Sequence, residues 1–177
     1  MPKVLLVVLI VIGSIIALWL LTVFATLIIL AIYNHQIKRN RMSINIILAQ
    51  KYDVAGVLAK FLLSNQVELP EEIISEFNLM EKPDFNYFNT FERKSIGTRI
   101  NEIINDLTTL ARENNFEENS RYQTLKNSIE DVEKQYKHVI LTYNNKVGDY
   151  NYWVRFIPFR LVSKIFNIKQ KKIINEK

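Results

Sequence analysis

The first 34 residues of the chain contrast with everything that follows them. Residues 4–34 carry no charged side chain and consist mostly of Leu, Ile and Val, whereas the rest of the chain is rich in polar and charged residues. A helix rises about 1.5 Å per residue, so this run is longer than a hydrocarbon core of about 30 Å requires. The pattern predicts a transmembrane anchor at residues 1–34. A cleaved secretory signal is the alternative, but its apolar core is shorter and ends in a small-residue cleavage site.

Residues 35–177 show apolar positions with a helical period. These positions recur at steps of three and four in three segments, which predicts three long amphipathic helices. The first begins directly below the anchor with no helix breaker between them. Its stripe comprises Ile37, Ile44, Ile47, Leu48, Val54, Leu58, Phe61 and Leu62. The second stripe comprises Ile96, Ile100, Ile103, Leu107 and Leu110. The third comprises Tyr122, Leu125, Ile129, Val132, Tyr136, Val139, Tyr143, Val147, Tyr150 and Val154.

A linker separates the first and second predicted helices. Pro70 and Pro83 bracket it, and residues 66–84 are predicted to be mostly irregular, with a short helix around residues 71–77. An aromatic cluster follows this linker, just before the second helix. Core packing is the first interpretation of that cluster, and an exposed docking patch for a partner is the alternative. Its members are Phe85, Tyr87, Phe88 and Phe91.

The remaining boundaries complete the predicted fold. Asparagines at positions 114, 115 and 119 mark the turn before the third helix, and Pro158 ends or kinks that helix. Residues 159–168 then predict a short amphipathic helix. Residues 35–177 contain three glycines and three prolines, too few for the frequent turns of a sheet protein. We therefore predict an all-α chain, in which the transmembrane helix precedes an antiparallel up-and-down bundle of three long helices and a short terminal helix.

Several short motifs of the chain resemble those of a known family. They comprise Tyr33-Asn34, Asn40, Lys51-x-Asp53, Tyr143-Asn144, Val147, Tyr150-Asn151, Pro158 and the closing segment 161–166. Their joint order after an amino-terminal membrane helix resembles the LemA family of bacterial membrane proteins. Lys51 stands where the family has Arg, Gly56 stands where it has Pro, and residues 66–89 depart from its pattern. The resemblance implies a membrane-anchored antiparallel helical bundle, and it implies no biochemical activity.

The repeated Tyr–Asn pairs are the most distinctive polar feature of the third helix. Tyr143 and Tyr150 are seven residues apart and therefore share one helical face, with Asn144 and Asn151 beside them. In the structural interpretation, the tyrosines belong to the core and their hydroxyls reach solvent or a backbone carbonyl. The asparagines would then bond across helices and set their register.

The sequence gives little support to an enzyme. Neither of the two histidines, His35 and His138, has a Glu three residues before it, as a di-metal site in a helical bundle requires. The chain has no cysteine, no phosphate-binding loop and no hydrolase motif. We predict no cofactor, no metal and no catalytic residue. The alternative is a small-ligand binder or enzyme with a pocket lined by Tyr136, His138, Tyr143 and Asn144.

Charge flanking the anchor predicts its orientation. Lys3 precedes the apolar run, and four basic residues follow it within about 20 positions, the side that usually stays in the cytoplasm. These four are Lys38, Arg39, Arg41 and Lys51. The amino terminus is therefore predicted outside and the helical domain in the cytoplasm. The opposite topology is the alternative, because an amino-terminal Lys before a long apolar run also suits it.

The carboxyl-terminal end of the chain is basic. Residues 68–134 have a net charge of −7, from 15 acidic and 8 basic residues, whereas residues 155–172 contain six basic residues and no acid. The six are Arg155, Arg160, Lys164, Lys169, Lys171 and Lys172. Anionic lipid is a closer candidate partner than nucleic acid, since the anchor already holds the chain at a bilayer. A membrane protein is the other predicted partner. In the alternative interpretation, this end folds back on the bundle and its charges are solvated.

Overall fold

The structure, a computed structural model, describes residues 2–79, 90–156 and 159–174. Within these ranges every regular element is a helix, which confirms the all-α prediction. The elements are Pro2–Ser64 (α1), Glu71–Leu79 (α2), Thr90–Glu113 (α3), a 3₁₀ turn at Phe116–Glu118, Ser120–Arg155 (α4) and Phe159–Ile165 (α5). The predicted aromatic cluster at residues 85–91 and the predicted helix stop at Pro158 lie outside the part of the chain whose side chains are described.

The predicted anchor and the first amphipathic helix form one continuous helix, α1. It ends at Ser64, and two residues later Gln66 adopts a left-handed backbone conformation with φ of 63°. The amide of Val67 then donates to the carbonyl of Leu62 at 3.1 Å, which closes the last turn of the helix. Glycine is the usual residue in this conformation, so with Gln at position 66 the sequence did not reveal the cap. The helix thus ends two residues before the predicted start of the linker at residue 66, and the linker stays a prediction.

Local hydrogen bonds begin the following helices where the sequence predicts them. The carbonyl of Pro70 accepts from the amide of Ile73 at 3.0 Å and so opens α2. The side-chain oxygen of Asn119 accepts from the amides of Arg121 and Tyr122, at 2.9 and 3.2 Å, and caps the start of α4. The terminal helix α5 ends at Ile165, three residues earlier than predicted, because Asn167 takes a left-handed conformation with φ of 50°.

Contacts divide the chain into two compact units. Residues 1–39 and 144–173 form one, which we call the terminal unit, and residues 40–143 and 174–177 form the other, the central unit. Both α1 and α4 contribute residues to each. The predicted domain boundary at residues 34–35 was drawn from hydropathy and stays a prediction.

The core of the central unit is built from the predicted apolar stripes. Leu58, Phe61 and Leu62 of α1 are buried in one cluster with Leu107 of α3 and Tyr122 of α4. The edge of the Phe116 ring meets Phe61 with 5.3 Å between ring centroids. Each residue of the three predicted stripes is buried or half-buried, which confirms the helical period.

In the terminal unit, the first part of α1 is exposed on all sides, and the part that follows is buried on one face. All residues from Lys3 to Leu21 are exposed, and burial then recurs every three or four residues, with Thr26 1 % and Leu30 4 % exposed. Residues 144–173 make up the rest of this unit and supply its buried Val147, Val154 and Val162. An 18-residue window of α1 has a mean hydropathy of 3.2 and no buried residue, so this helix is long and apolar enough to cross a membrane.

Candidate functional site

A lysine is buried in the central unit. Lys51 is 2 % exposed, and its ammonium donates to Oε2 of Glu133 at 2.5 Å and to Oδ1 of Asn101. The same nitrogen lies 4.4 Å from the centroid of the Tyr136 ring, in a cation–π contact. One cation thus joins α1, α3 and α4. A buried charge is stable only when it is paired and hydrogen-bonded, and these partners meet that requirement.

Sequence reasoning missed this cluster. We counted Lys51 among the charges that follow the anchor, yet its ammonium is buried against a carboxylate and its charge is compensated. The signal was present in the spacing, because Lys51 comes three residues after Leu48 and four before Ala55, both buried on α1. A lysine on an apolar stripe requires an acidic partner on a neighbouring helix. Glu133, beside the stripe residue Val132, meets that requirement.

A small cavity adjoins the cluster in the central unit. It has a volume of about 210 Å³, below the range of about 300–1,000 Å³ typical of ligand pockets. Asn101, Glu133 and Tyr136 line it together with Gly97 of α3. Of the four residues predicted to line a pocket, Tyr136 lines this cavity, whereas His138, Tyr143 and Asn144 are not among its lining residues. His138 is exposed, Tyr143 is buried, and Asn144 is half-buried in the terminal unit.

A second buried cation lies elsewhere in the central unit. Arg93 of α3 is 3 % exposed, and its Nε donates to Oδ1 of the buried Asn45 at 2.6 Å. Burial is the main reason that the pKa of Arg93 is lowered, and the positive charge of Arg41 lowers it further. Sequence reasoning missed this pair as well, although Arg93 comes three residues before Ile96 and seven before Ile100 and so continues the apolar stripe of α3.

Tyr150, Asn151 and Asn34 of the terminal unit hold the carboxyl-terminal segment, residues 168–173. The Asn151 carboxamide satisfies both backbone groups of Lys171, since its Nδ2 donates to the carbonyl and its Oδ1 accepts from the amide, each at 2.8 Å. The Tyr150 hydroxyl donates to the carbonyl of Lys169 at 3.4 Å, and burial raises the pKa of Tyr150. Asn34 accepts from the Lys171 ammonium at 2.6 Å. These contacts fasten the segment beside α1 and α4.

The family-motif positions are therefore only partly brought together. Tyr33 joins the same region, with the Lys146 ammonium 5.8 Å from its ring centroid. The hydroxyl of Tyr150 reaches a backbone carbonyl, as predicted. The carboxamide of Asn151 bonds to the carboxyl-terminal segment instead of setting the register of two helices. Asp53 is exposed in the central unit, and Pro158 lies outside the described residues.

The basic residues of the carboxyl-terminal end divide into two groups. Lys171 bonds to Asn34, while Lys172 is exposed. The other four surround a cavity of about 670 Å³ in the terminal unit, which we call the basic basin. Its lining residues comprise Val154, Arg155, Arg160, Ser163, Lys164, Asn167, Ile168, Lys169 and Gln170. Nη2 of Arg155 donates to Oε1 of Gln170 at 2.6 Å, which fixes one wall of the basin.

Neither a cluster of metal ligands nor a similarity to known proteins identifies these sites. In the described ranges, no three His, Cys, Asp or Glu side chains lie close enough together to hold a metal ion. The chain matches no family model, no curated protein and no solved structure. The resemblance to the LemA family consequently stays a prediction.

Proposed function

We propose that this protein is a membrane-anchored, non-enzymatic interaction or scaffold protein of the LemA type. In this proposal α1 crosses the bilayer, and α1, α3 and α4 form an antiparallel bundle that presents its surface to other membrane proteins. The amino terminus lies outside and the central unit lies in the cytoplasm, as the positive residues after the anchor favour.

The exposure of α1 carries the proposal. Residues 3–21 expose apolar side chains on every side of the helix. Exposure of so long an apolar surface to water is strongly unfavourable. These 19 residues extend over about 28 Å, close to the thickness of a hydrocarbon core. Ser14 and Thr22 donate their hydroxyls to carbonyls four residues earlier, at 2.8 and 2.9 Å, so both polar groups are satisfied within the helix.

Fractionation and crosslinking test the proposal together. The full chain should stay with membranes after alkaline extraction, and photo-crosslinkers at exposed positions of the central unit should capture defined membrane proteins in living cells. Extraction into the soluble fraction would contradict the anchor. Crosslinks that reproduce the background of an unrelated anchored domain would contradict the scaffold role.

Labelling of a single cysteine tests the orientation. The chain has no cysteine of its own, so Ser120→Cys provides one exposed thiol at the start of α4. A membrane-impermeant maleimide should label it only after lysis. Labelling in intact cells would reverse the proposed topology.

The cavity beside Lys51 supports a second candidate, a binder of ligands smaller than an ordinary pocket holds, since its volume is only about 210 Å³. Its polar lining of Asn101, Glu133 and Tyr136 suits a small molecule with both donors and acceptors. Pools of small polar metabolites should then raise the melting temperature of the full chain. Thr98→Trp, at the cavity wall, should abolish the shift, while Thr109→Trp, exposed on the same helix, should keep it. No shift with any pool would eliminate this candidate.

A further inference from the structure

The basic basin combines positive charge with an unsatisfied hydroxyl. Arg160, Lys164 and Lys169 are exposed at its rim, and residues 155–172 contain no carboxylate that would neutralise them. Ser163 also lines the basin and is 4 % exposed, yet its hydroxyl has no hydrogen-bond partner among the described residues. A buried hydroxyl without a partner is unfavourable, and an anion with several oxygen acceptors would satisfy it together with the cations.

Apolar side chains are exposed on the same short helix that carries these cations. Leu161 and Ile165 of α5, with Phe166 directly after it, are between 52 % and 64 % exposed. Helix α5 thus alternates exposed apolar residues with Arg160 and Lys164. Such a mixture is typical of helices that lie at the boundary between headgroups and acyl chains.

Aromatic side chains cluster next to α5, as they do in proteins at a membrane interface. The ring of Trp153 lies 5.0 Å from that of Phe159 and 5.9 Å from that of Phe156, measured between centroids. Phe156 and the neighbouring Tyr152 remain exposed. Trp and Tyr are enriched where a protein meets the headgroup region of a bilayer.

The burial pattern of α1, which belongs to the same unit as the basin, agrees with this setting. The terminal unit buries Thr26 and Leu30 on one face of α1, while Phe24, Ile28 and Ile32 stay exposed on the other faces. That stretch therefore has protein on one side and an apolar surface on the other. It immediately follows the residues that are exposed all around, where a bilayer would give way to headgroups.

We propose that the basic basin binds the phosphate group of an anionic phospholipid in the bilayer that α1 crosses. Arg155, Arg160, Lys164 and Lys169 supply the positive charge, and the Ser163 hydroxyl donates to a phosphate oxygen. The exposed apolar residues of α5 lie among the acyl chains nearest the headgroups. This inference rests on the proposed membrane anchor and adds a specific ligand class to it.

Fluorescence quenching of Trp153 in bilayer nanodiscs tests the inference. The chain has two tryptophans, so Trp19→Phe leaves Trp153, beside the basin, as the reporter. The full chain is placed in discs that contain both phosphatidylglycerol and phosphatidylcholine, with bromine on the acyl chains of one lipid or the other. The difference in quenching gives the local preference for the anionic lipid, which should be about fivefold or more at low salt and should fall at high salt.

Matched variants locate that preference in the basin. Arg160→Gln, Lys164→Gln and Lys169→Gln together should abolish it. The control combines Lys60→Gln, Arg112→Gln and Lys134→Gln, which make the same charge change at exposed positions of the central unit, and it should keep the preference. Ser163→Ala should lower the preference without lowering the melting temperature in neutral discs, because it removes a hydroxyl that has no partner there.

Each contrary outcome overturns a defined part of the argument. Equal quenching by the two lipids, or a preference that survives in the basin variant, would overturn the lipid site. Inorganic phosphate or glycerol phosphate that erases the preference at constant ionic strength would assign the basin to soluble phosphates instead. A chain that does not comigrate with the discs would contradict the anchor itself, and that failure is visible before any quenching is measured.

Discussion

At the scale of single residues, Lys51 gives the sharpest test of how the central unit is held together. Glu133→Gln removes a carboxylate that pairs with a buried ammonium and should lower the free energy of unfolding by about 3 kcal/mol. This loss is at the lower end of the range for a broken buried pair, because the Glu133 side chain keeps 30 % of its surface exposed. Chemical denaturation of the full chain in detergent, followed by helical circular dichroism, measures the change.

Two companion variants show whether burial is the reason. Lys51→Met with Glu133→Leu replaces the pair by apolar groups and should lower stability less than Glu133→Gln alone. Asp131→Asn breaks the exposed contact with Lys134 at 3.6 Å and should change stability by less than about 0.5 kcal/mol. An equal loss in Glu133→Gln and Asp131→Asn would mean that water screens Lys51.

Replacement of two helical glycines by alanine distinguishes the effect of close packing on stability from the effect of helix propensity. A Cβ at position 97 would lie 2.7 Å from the Tyr136 hydroxyl and 3.4 Å from Leu48, whereas one at position 148 would meet nothing within 4 Å. Gly97→Ala should therefore lower the free energy of unfolding by about 1–3 kcal/mol, through overpacking at the cavity. Gly148→Ala should raise it by about 0.5–1 kcal/mol, because alanine restricts the unfolded chain and favours the helix. Thermal melts of both variants measure these shifts, and a stabilised Gly97→Ala would contradict the close approach of Tyr136.

At the scale of elements, the carboxyl-terminal segment depends on one carboxamide. Asn151→Ala removes both bonds to the backbone of Lys171, so residues 168–173 should detach more often from the rest of the terminal unit. Limited proteolysis with trypsin should then cut after Lys169 or Lys171 several-fold faster than in the unaltered chain. Asn145→Ala, exposed six residues earlier on the same helix, is the control and should not change the rate. Equal cleavage of both variants would show that other contacts hold the segment.

The elements also show what the sequence could and could not predict. The helices were predictable because apolar residues at steps of three and four specify a buried face without any knowledge of its partner, as Ile100, Ile103 and Leu107 illustrate. The attachment of residues 168–173 was not predictable, because an asparagine that bonds to the backbone 20 residues later has no periodic signature. Likewise, Lys51 could be recognised as misplaced on its stripe, but its pairing with Glu133 depends on how two distant helices pack.

At the scale of the whole molecule, apolar, acidic and basic stretches follow one another along the chain. The exposed apolar residues come first, the acidic stretch lies in the middle, and the basic basin with its aromatic neighbours comes last. The basic end and the apolar first part of α1 both belong to the terminal unit, so they share one compact body. An anchored scaffold would thereby have its lipid contacts in one unit, and the central unit would remain available for other partners.

Accessibility of spin labels along α1 tests the anchor most directly. Leu9, Ile16, Met42 and Ile46 are all apolar, all on α1 and all between 53 % and 62 % exposed, so only the surrounding medium distinguishes them. Each is replaced by a nitroxide-labelled cysteine in the full chain, reconstituted in a bilayer. We expect labels at 9 and 16 to collide with oxygen and not with a water-soluble nickel complex, and labels at 42 and 46 to show the reverse. Nickel access at positions 9 and 16 equal to that at 42 and 46 would contradict a membrane-spanning α1.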